Sequence, residues 1–403
     1  MVTDPLSDLT RNWVLPEYVE DVLPPEAARV ERLRRLLFDH FVVHGYELVM
    51  PPMIEYTESL LTGTGHDLDL RTFKLVDQLS GRMLGVRADI TPQVARIDAH
   101  LLNRAGVTRL AYCGTVLHAL PPPMSSSREL LQMGAELFGH AGVESDIEIQ
   151  RLMLDALRLA GVSGVHLDLG HVGLFRALCR HGGVDAALEG ALFQALQGKD
   201  LPTLRALTRG LAPVTREAVL RLPELFGGIE VIDLGREVLP AYPEVVACLA
   251  QLRRIGEALA SRVDALLIDL AELRGYHYHS GVVFAAYVPG SANALARGGR
   301  YDEVGRAFGR ARPATGFSLD LRELAAAVAG GATPTPIHAP YPEDTGLGRV
   351  IDELRRRGEV VIVALPGELA QANTGGEAAR RLCFHDGEWR VVSRDASASG
   401  RSD

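Results

Sequence analysis

A chain of 403 residues is long enough for two or three domains around a substantial core. Its formal charge of −9, with Lys74 and Lys199 as the only lysines, makes poor material for a nucleic-acid binder, whose phosphate contacts need clustered cations. Cys113, Cys179, Cys248 and Cys383 lie far apart with no C-x-x-C pair, which argues against a disulfide frame or zinc site; with no basic leader and no bilayer-length apolar run, a cytoplasmic protein without membrane contact is expected.

Pro24 and Pro25 precede Ala27, Val30, Leu33, Leu37 and Phe41 at helical spacing, and Gly45 closes the segment. Early proline and late glycine punctuate an amphipathic helix. Tyr46 to Met50 then reads as a short strand, ended by Pro51 and Pro52, which cannot donate to a ladder. Two strands follow around Ser80-Gly81, anchored by Phe73, Leu75, Leu84 and Val86, and a helix starts at Thr91-Pro92 with Thr91 as its N-cap. Asp89 stands just ahead of that helix, where a carboxylate is also an ordinary capping feature.

Cys113 to Gly139 reads as a hairpin, two apolar segments around a Pro/Ser-rich turn. Even spacing in a strand keeps side chains on one face, so Gln132, Gly134 and Glu136 share a side opposite Met133, Ala135 and Leu137. An amide and a carboxylate beside a glycine make the floor of a small polar pocket, although a half-exposed strand shows the same alternation. An α-ammonium has three donors, and Asp89, Thr91 and Gln132 supply three acceptors.

Ser145 to Leu159 has helical spacing, followed by the strand GVHLDLGHV. Its His166, Asp168 and His171 alternate across faces before Gly170 turns the chain, so no metal site is expected. Leu174 to Leu259 is Ala/Leu-rich and helical, with glycine breaks. A second informative stretch, RGYHYHSGVVF from Arg274 and GGRYD from Gly298, has glycines that admit close approach of a ligand or strand. After ARPATGFSLDLRELAAAV comes a Pro/Gly/Thr linker, residues 330–346, then a small helix-and-strand module, residues 347–393, and a polar tail, 394–403, expected to be disordered. The core is therefore expected in residues 1–165 and 260–329, with a mainly helical insertion at 166–259.

The run Gln132, Gly134, Glu136, Phe138, Gly139 matches motif 2 of the histidyl-tRNA synthetases, and RGYHYHSGVVF and GGRYD resemble their two histidine-specific motifs. Pro52 to Glu55 resembles motif 1, and Arg87, Asp89 and Thr91 stand in the place of the family's R-P-E-G-T. The resemblance implies an α+β, class II aminoacyl-tRNA synthetase-like fold: an antiparallel sheet flanked by helices, with a helical insertion and a small C-terminal α/β module. It implies a histidine pocket in which Asp89, Thr91 and Gln132 hold the ammonium, Arg274 the carboxylate, and Glu136, Tyr278 and Tyr301 the imidazole. It also implies self-association through the motif 1-like region.

The departures are informative. His118 stands where the synthetases hold the ATP α-phosphate with an arginine, and Glu323 where an arginine grips the γ-phosphate; Asp320 replaces a small residue, and Arg322 is one place off the helix face required. The hairpin loop from Leu120 to Ser127 carries no basic residue, leaving Arg128 alone. His277 and His279 replace an acid and a tyrosine of the family. An acid against a triphosphate is repulsive, so no adenylate chemistry, catalytic residue, cofactor, metal or tRNA partner is expected. With LPEYVEDVLPPEA, DLDLRTFKLVDQLSGR and RADITPQVARIDAH, the chain resembles the regulatory-subunit family of the short-form ATP phosphoribosyltransferase, a synthetase paralogue. That implies a non-catalytic partner of the short catalytic subunit in the first step of histidine biosynthesis, with L-histidine as feedback effector; the alternatives are a divergent histidyl-tRNA synthetase and a histidine-binding adaptor for another partner.

Overall fold

In the computed structural model the described residues are 14–62, 66–121, 127–328, 335–343, 345–366 and 380–393. The tip of the hairpin loop at 122–126, the linker's start at 330–334, the part of the small module at 367–379 and the tail at 394–403 lie outside them. Contacts divide the chain into Met1–Ala329 and Gly330–Asp403.

The first unit is built on one nine-stranded sheet. Helix α1 (Pro24–Val43) leads into β1 (Glu47–Leu48), and β2 (Ile54–Tyr56), β3 (Phe73–Val76) and β4 (Met83–Val86) form a separate three-stranded sheet in the order β2-β4-β3. Helix α2 (Thr91–Arg96) precedes the long hairpin β5 (Thr108–Leu117) and β6 (Glu129–Phe138), and α3 (Val143–Ala160) follows it. Next come β7 (His166–His171), α4 (Gly173–His181), α5 (Ala186–Gln197), β8 (Phe226–Gly227) and α6 (Pro243–Leu259). The strands β9 (Ala265–Asp269), β10 (Val282–Tyr287), β11 (Ala296–Arg300) and β12 (Ala314–Asp320) complete the sheet before α7 (Leu321–Ala327).

The order across the sheet is β1-β5-β6-β12-β11-β10-β7-β9-β8. From β5 to β7 every pair is antiparallel, and β1–β5 and β7–β9 are parallel. His166–His171, which the sequence assigned to the helical insertion, is thus a strand of the sheet between β10 and β9. The sheet continues past residue 165, because Leu167 and Leu169 are buried core positions. The helices begin at Gly173, where the strand's period of two gives way to a strongly amphipathic helical one.

Alternation divides the sheet's two faces. Met133, Ala135 and Leu137 of β6 are buried in the same core cluster as Val30, Leu33, Leu37 and Phe41 of α1 and Ile149, Leu152 and Met153 of α3. Phe41 meets Phe317 of β12 edge-on, with centroids 5.9 Å apart. The opposite face, carrying Gln132, Gly134 and Glu136, is left for the pocket.

The second unit has its own sheet, ordered β14-β13-β15-β16, formed by β13 (Ile337–Ala339), β14 (Val361–Val363), β15 (Arg380–His385) and β16 (Glu388–Ser393) with α8 (Thr345–Arg356). Ile337, Ala339, Leu347, Ile351, Val361 and Leu382 form its core. The module therefore reaches into the stretch expected to be linker. Three residues, Ile337 and Ala339 in and His338 half out, are too short an alternation to read among Pro334, Pro336 and Pro340.

Candidate functional site

Strand pairing sets the floor of the site. Opposite Glu136 of β6 stand Leu110 of β5 and Gly316 of β12, and Gly316 in turn faces Gly299 of β11. One step along, Tyr112 faces Gly134, Gly134 faces Ser318, and Ser318 faces Arg297. The glycines are spatial requirements. A Cβ on Gly316 would lie inside the Glu136 carboxyl, and one on Gly134 would come within 2.5 Å of both the Tyr112 hydroxyl and the Phe317 carbonyl oxygen.

Glu136 is only 1% exposed and takes three hydroxyls. Tyr112 donates to Oε1 at 3.0 Å, Thr91 donates to the same oxygen at 3.1 Å, and Tyr301 donates to Oε2. Burial pushes this carboxyl up to about 8, against the opposing pull of the Tyr301 and Tyr112 hydroxyls. The group is thus poised to hold a proton at neutral pH and to release it to a base that enters the cavity. Burial, with the nearby Glu136 charge, drives the hydroxyls of Tyr112, Tyr278 and Tyr301 well above their usual range, so all three are donors.

Thr91 does not cap its helix as expected. Ile90 occupies that position without a side-chain bond, while the Thr91 hydroxyl turns to Glu136 and lies 3.0 Å from the Tyr112 hydroxyl. Asp89 Oδ1 accepts from the Thr91 amide at 3.0 Å and from Gln132 Nε2 at 2.8 Å, and Gln132 Oε1 accepts from the Ile90 amide at 2.9 Å. Gln132 therefore fixes Asp89 and the helix entry, using one lone pair of its oxygen on backbone. The simple count of three unoccupied acceptors for an ammonium does not hold in this geometry, and Asp89 is the charged acceptor that remains.

Tyr278 leans on Tyr301 with ring centroids 5.1 Å apart, and its buried hydroxyl has no partner among the described residues. The same holds for Nδ1 of His279, whose ring burial lowers to about 4 and so keeps neutral. Two orphaned polar atoms on residues that line the same cavity as Glu136 are what a site for a polar ring leaves unfilled. Neutral imidazole, with one donor and one acceptor nitrogen, matches a carboxyl on one side and a tyrosine hydroxyl on the other.

The cavity occupies about 690 Å³, lined on the sheet side by Glu136, Gly299, Gly316 and Tyr301 and also by Phe193, Gln194 and Gln197 of α5. The loop after Arg274 is tied to that helix: Tyr276 stacks on Phe193 at 5.3 Å and donates to Glu189 at 2.5 Å. Arg274 lines the wall with its fork engaged. Nε donates to Glu272 at 2.8 Å, Nη2 donates to the same carboxylate at 2.5 Å, and Nη1 donates to the Tyr287 hydroxyl. Burial works against this guanidinium, and its bonds to Glu272 and Tyr287 outweigh it, raising its pKa.

His118 is buried, with Nε2 on the Ala88 carbonyl oxygen at 2.9 Å, and burial, reinforced by Arg71, lowers its pKa. It is a neutral structural group. Asp320 caps α7 through the Arg322 amide and also accepts from the Leu131 amide; burial raises it to about 6. Glu323 accepts from Asn293 at 3.3 Å, and Arg322 lies 3.6 Å from Glu129. These side chains are committed to the fold. Among the described residues no three His, Cys, Asp or Glu groups are placed to hold a metal, and no helix is long and apolar enough to cross a membrane.

The site thus brings together Asp89, Thr91, Gln132, Glu136, Tyr278 and Tyr301, with Arg274 in the wall. Sequence reasoning missed Tyr112, the second phenolic donor to Glu136. The hairpin itself carried the signal, since a large residue opposite Gly134 has space to lie across it.

Residues 18–324 match the family described as histidyl-tRNA synthetase, and residues 334–392 match the ATP phosphoribosyltransferase subunit HisZ C-terminal domain. Proteins named ATP phosphoribosyltransferase regulatory subunit are similar over nearly the whole chain. That of Azoarcus sp. strain BH72 is 57% identical over 379 residues, covering 94% of this chain and 98% of that protein. That of Nitrosospira multiformis is 55% identical over 385 residues, with the same coverages of 94% and 98%. Among solved structures, an ATP phosphoribosyltransferase regulatory subunit/histidyl-tRNA synthetase from Bacillus halodurans superposes with a TM-score of 0.78 at 27% identity, over 90% of this chain and 96% of that one. The histidyl-tRNA synthetase of Nostoc sp. PCC 7120 shares the fold, with a TM-score of 0.75 at 17% identity over 96% and 98% of the two chains.

Proposed function

The chain belongs to the family of ATP phosphoribosyltransferase regulatory subunits, with their histidyl-tRNA synthetase-like fold, and from this we propose that it activates a short-form catalytic subunit and conveys feedback inhibition by L-histidine. The observation that carries the reading is Glu136, a buried carboxyl ringed by Tyr112, Thr91 and Tyr301 beside the orphaned hydroxyl of Tyr278. Histidine binds with its ring against Glu136 and Tyr278, its ammonium toward Asp89 beneath Gln132 and Thr91, and its carboxylate toward the arginine-bearing wall of Arg274 and Arg297. Phosphate-binding arginines are replaced by His118, locked on a backbone carbonyl, and by Glu323, so the subunit forms no adenylate and charges no tRNA.

Inhibition is a matter of linkage. Histidine binds more tightly to the assembly's inactive arrangement and shifts the population toward it. The subunit works in the cytoplasm and self-associates through the end of α1 and the β1–β2 segment, where Val43 and Met50 are each 79% exposed and Val42, Leu48 and Met53 are exposed beside them.

The deciding experiment measures phosphoribosyl-ATP formation by the short catalytic subunit with and without this chain while histidine is titrated, with ATP–pyrophosphate exchange followed in parallel. A rate that depends on the chain and falls with histidine, without exchange, is expected. Histidine-dependent exchange would make the protein a synthetase and overturn the reading.

A further inference from the structure

We propose that Arg297 receives the carboxylate of the bound amino acid, an assignment that rests on the amino-acid reading above and gives Arg274 a structural place instead. Sheet register carries the argument. Arg297, Gly299 and Tyr301 fall on alternate positions and share the pocket side with Glu136, and Gly299 faces Gly316 beside that carboxyl. Arg297 is two residues further along β11, about 7 Å away by strand rise. That step matches the reach of histidine from ring to carboxylate.

Arg297 is exposed and lines the cavity, and among the described residues its side chain makes no hydrogen bond, ion pair or ring contact. Arg274 by contrast is held by Glu272 and Tyr287, with Asp168 at 3.9 Å from Nη2, and Arg71 stands beside the His118 ring, its Nη2 3.5 Å from Nε2. Asp89, Asp168 and Glu272 also line the cavity, so a ligand carboxylate entering it meets three acids. An uncommitted guanidinium among them is what makes that end hospitable to an anion, by two parallel charged hydrogen bonds.

The test is calorimetry on the full chain with histidine and with histamine, which lacks the carboxylate. A charge-assisted pair predicts that the wild-type chain prefers histidine by about thirtyfold. Arg297→Gln is expected to reduce that preference to about threefold or less through weaker histidine binding, with the melting temperature unchanged because no native partner is lost. Arg297→Lys, keeping charge without the fork, is expected to fall between. Arg274→Gln is expected to retain a preference of at least about tenfold, whatever it does to the absolute affinities. The proposal is overturned if Arg297→Gln keeps the full preference, if Arg274→Gln alone abolishes it, or if the wild-type chain binds histidine and histamine equally. A wild-type chain that binds neither takes down the amino-acid reading itself, a failure distinct from these.

Discussion

Replacing Glu136 by glutamine tests the central claim about the pocket, that its carboxyl is held protonated by burial. A glutamine keeps the shape and removes the titration. The native carboxyl sits at about 8 against 4.5 for the free group. At about 1.4 kcal/mol per unit, ionising it in place costs about 5 kcal/mol more than ionising it in the unfolded chain. The sign follows from proton uptake: between these values the native state holds the proton more tightly than the unfolded chain. Stability from this group is therefore fully present below pH 4.5, declines as pH rises, and is lost once pH passes about 8. Urea unfolding followed by circular dichroism at pH 5, 7 and 9 should show the wild-type chain losing stability relative to Glu136→Gln by about 3 to 5 kcal/mol across that interval. Histidine affinity of the variant at pH 7 should fall about tenfold to a hundredfold, because an amide cannot pass a proton to the entering ring. Parallel pH profiles for the two proteins would refute the claim that this carboxyl is buried and protonated.

Gly316→Ala places a methyl against the Glu136 carboxyl and should lower histidine affinity at least tenfold, read by calorimetry, while circular dichroism stays native. Tyr278→Phe should leave the unfolding free energy in urea within about 0.5 kcal/mol of wild type, since the lost hydroxyl has no partner among the described residues, yet weaken histidine roughly fivefold to tenfold in the same calorimeter. Arg312→Ala breaks the buried pair with Asp98, where Nη1 lies 3.0 Å from Oδ1, and strands that carboxylate. It should cost about 3 to 5 kcal/mol in urea unfolding at pH 7.

The face of β6 was legible because a period of two needs no tertiary information: Gln132, Gly134 and Glu136 had to share a side, and a buried core on the other side had to cover Met133, Ala135 and Leu137. What reading along a single strand leaves out is lateral. Tyr112 joins Glu136 only through the β5–β6 register, and Gly316 does so only through pairing with a strand that arrives late in the chain. Thr91 read as a helix cap because its neighbours carry that signature; the nearby Glu136 offered its hydroxyl a better acceptor. The resemblance gave Arg274 a ligand's carboxylate, and it could not show that Glu272, two residues before it, holds the guanidinium locally. In β7 the alternating leucines marked a strand, but nothing local to it signals that it inserts beside β10 instead of opening the helical block.

The position of β12 between β6 and β11 bears on how the protein is made. Phe138 of β6 pairs with Ala314, so the hairpin's inner edge has no neighbour until the whole helical block has been translated. At ordinary rates of synthesis that interval is roughly ten to forty seconds, during which a long row of unpaired amides and carbonyls stands open on the nascent chain. The pocket over Glu136 is therefore among the last features to close. A product truncated before residue 314 keeps the buried carboxyl's strand yet lacks the glycine strand that packs beside it, leaving a sticky sheet edge in place of a binding site, the kind of species that quality control removes.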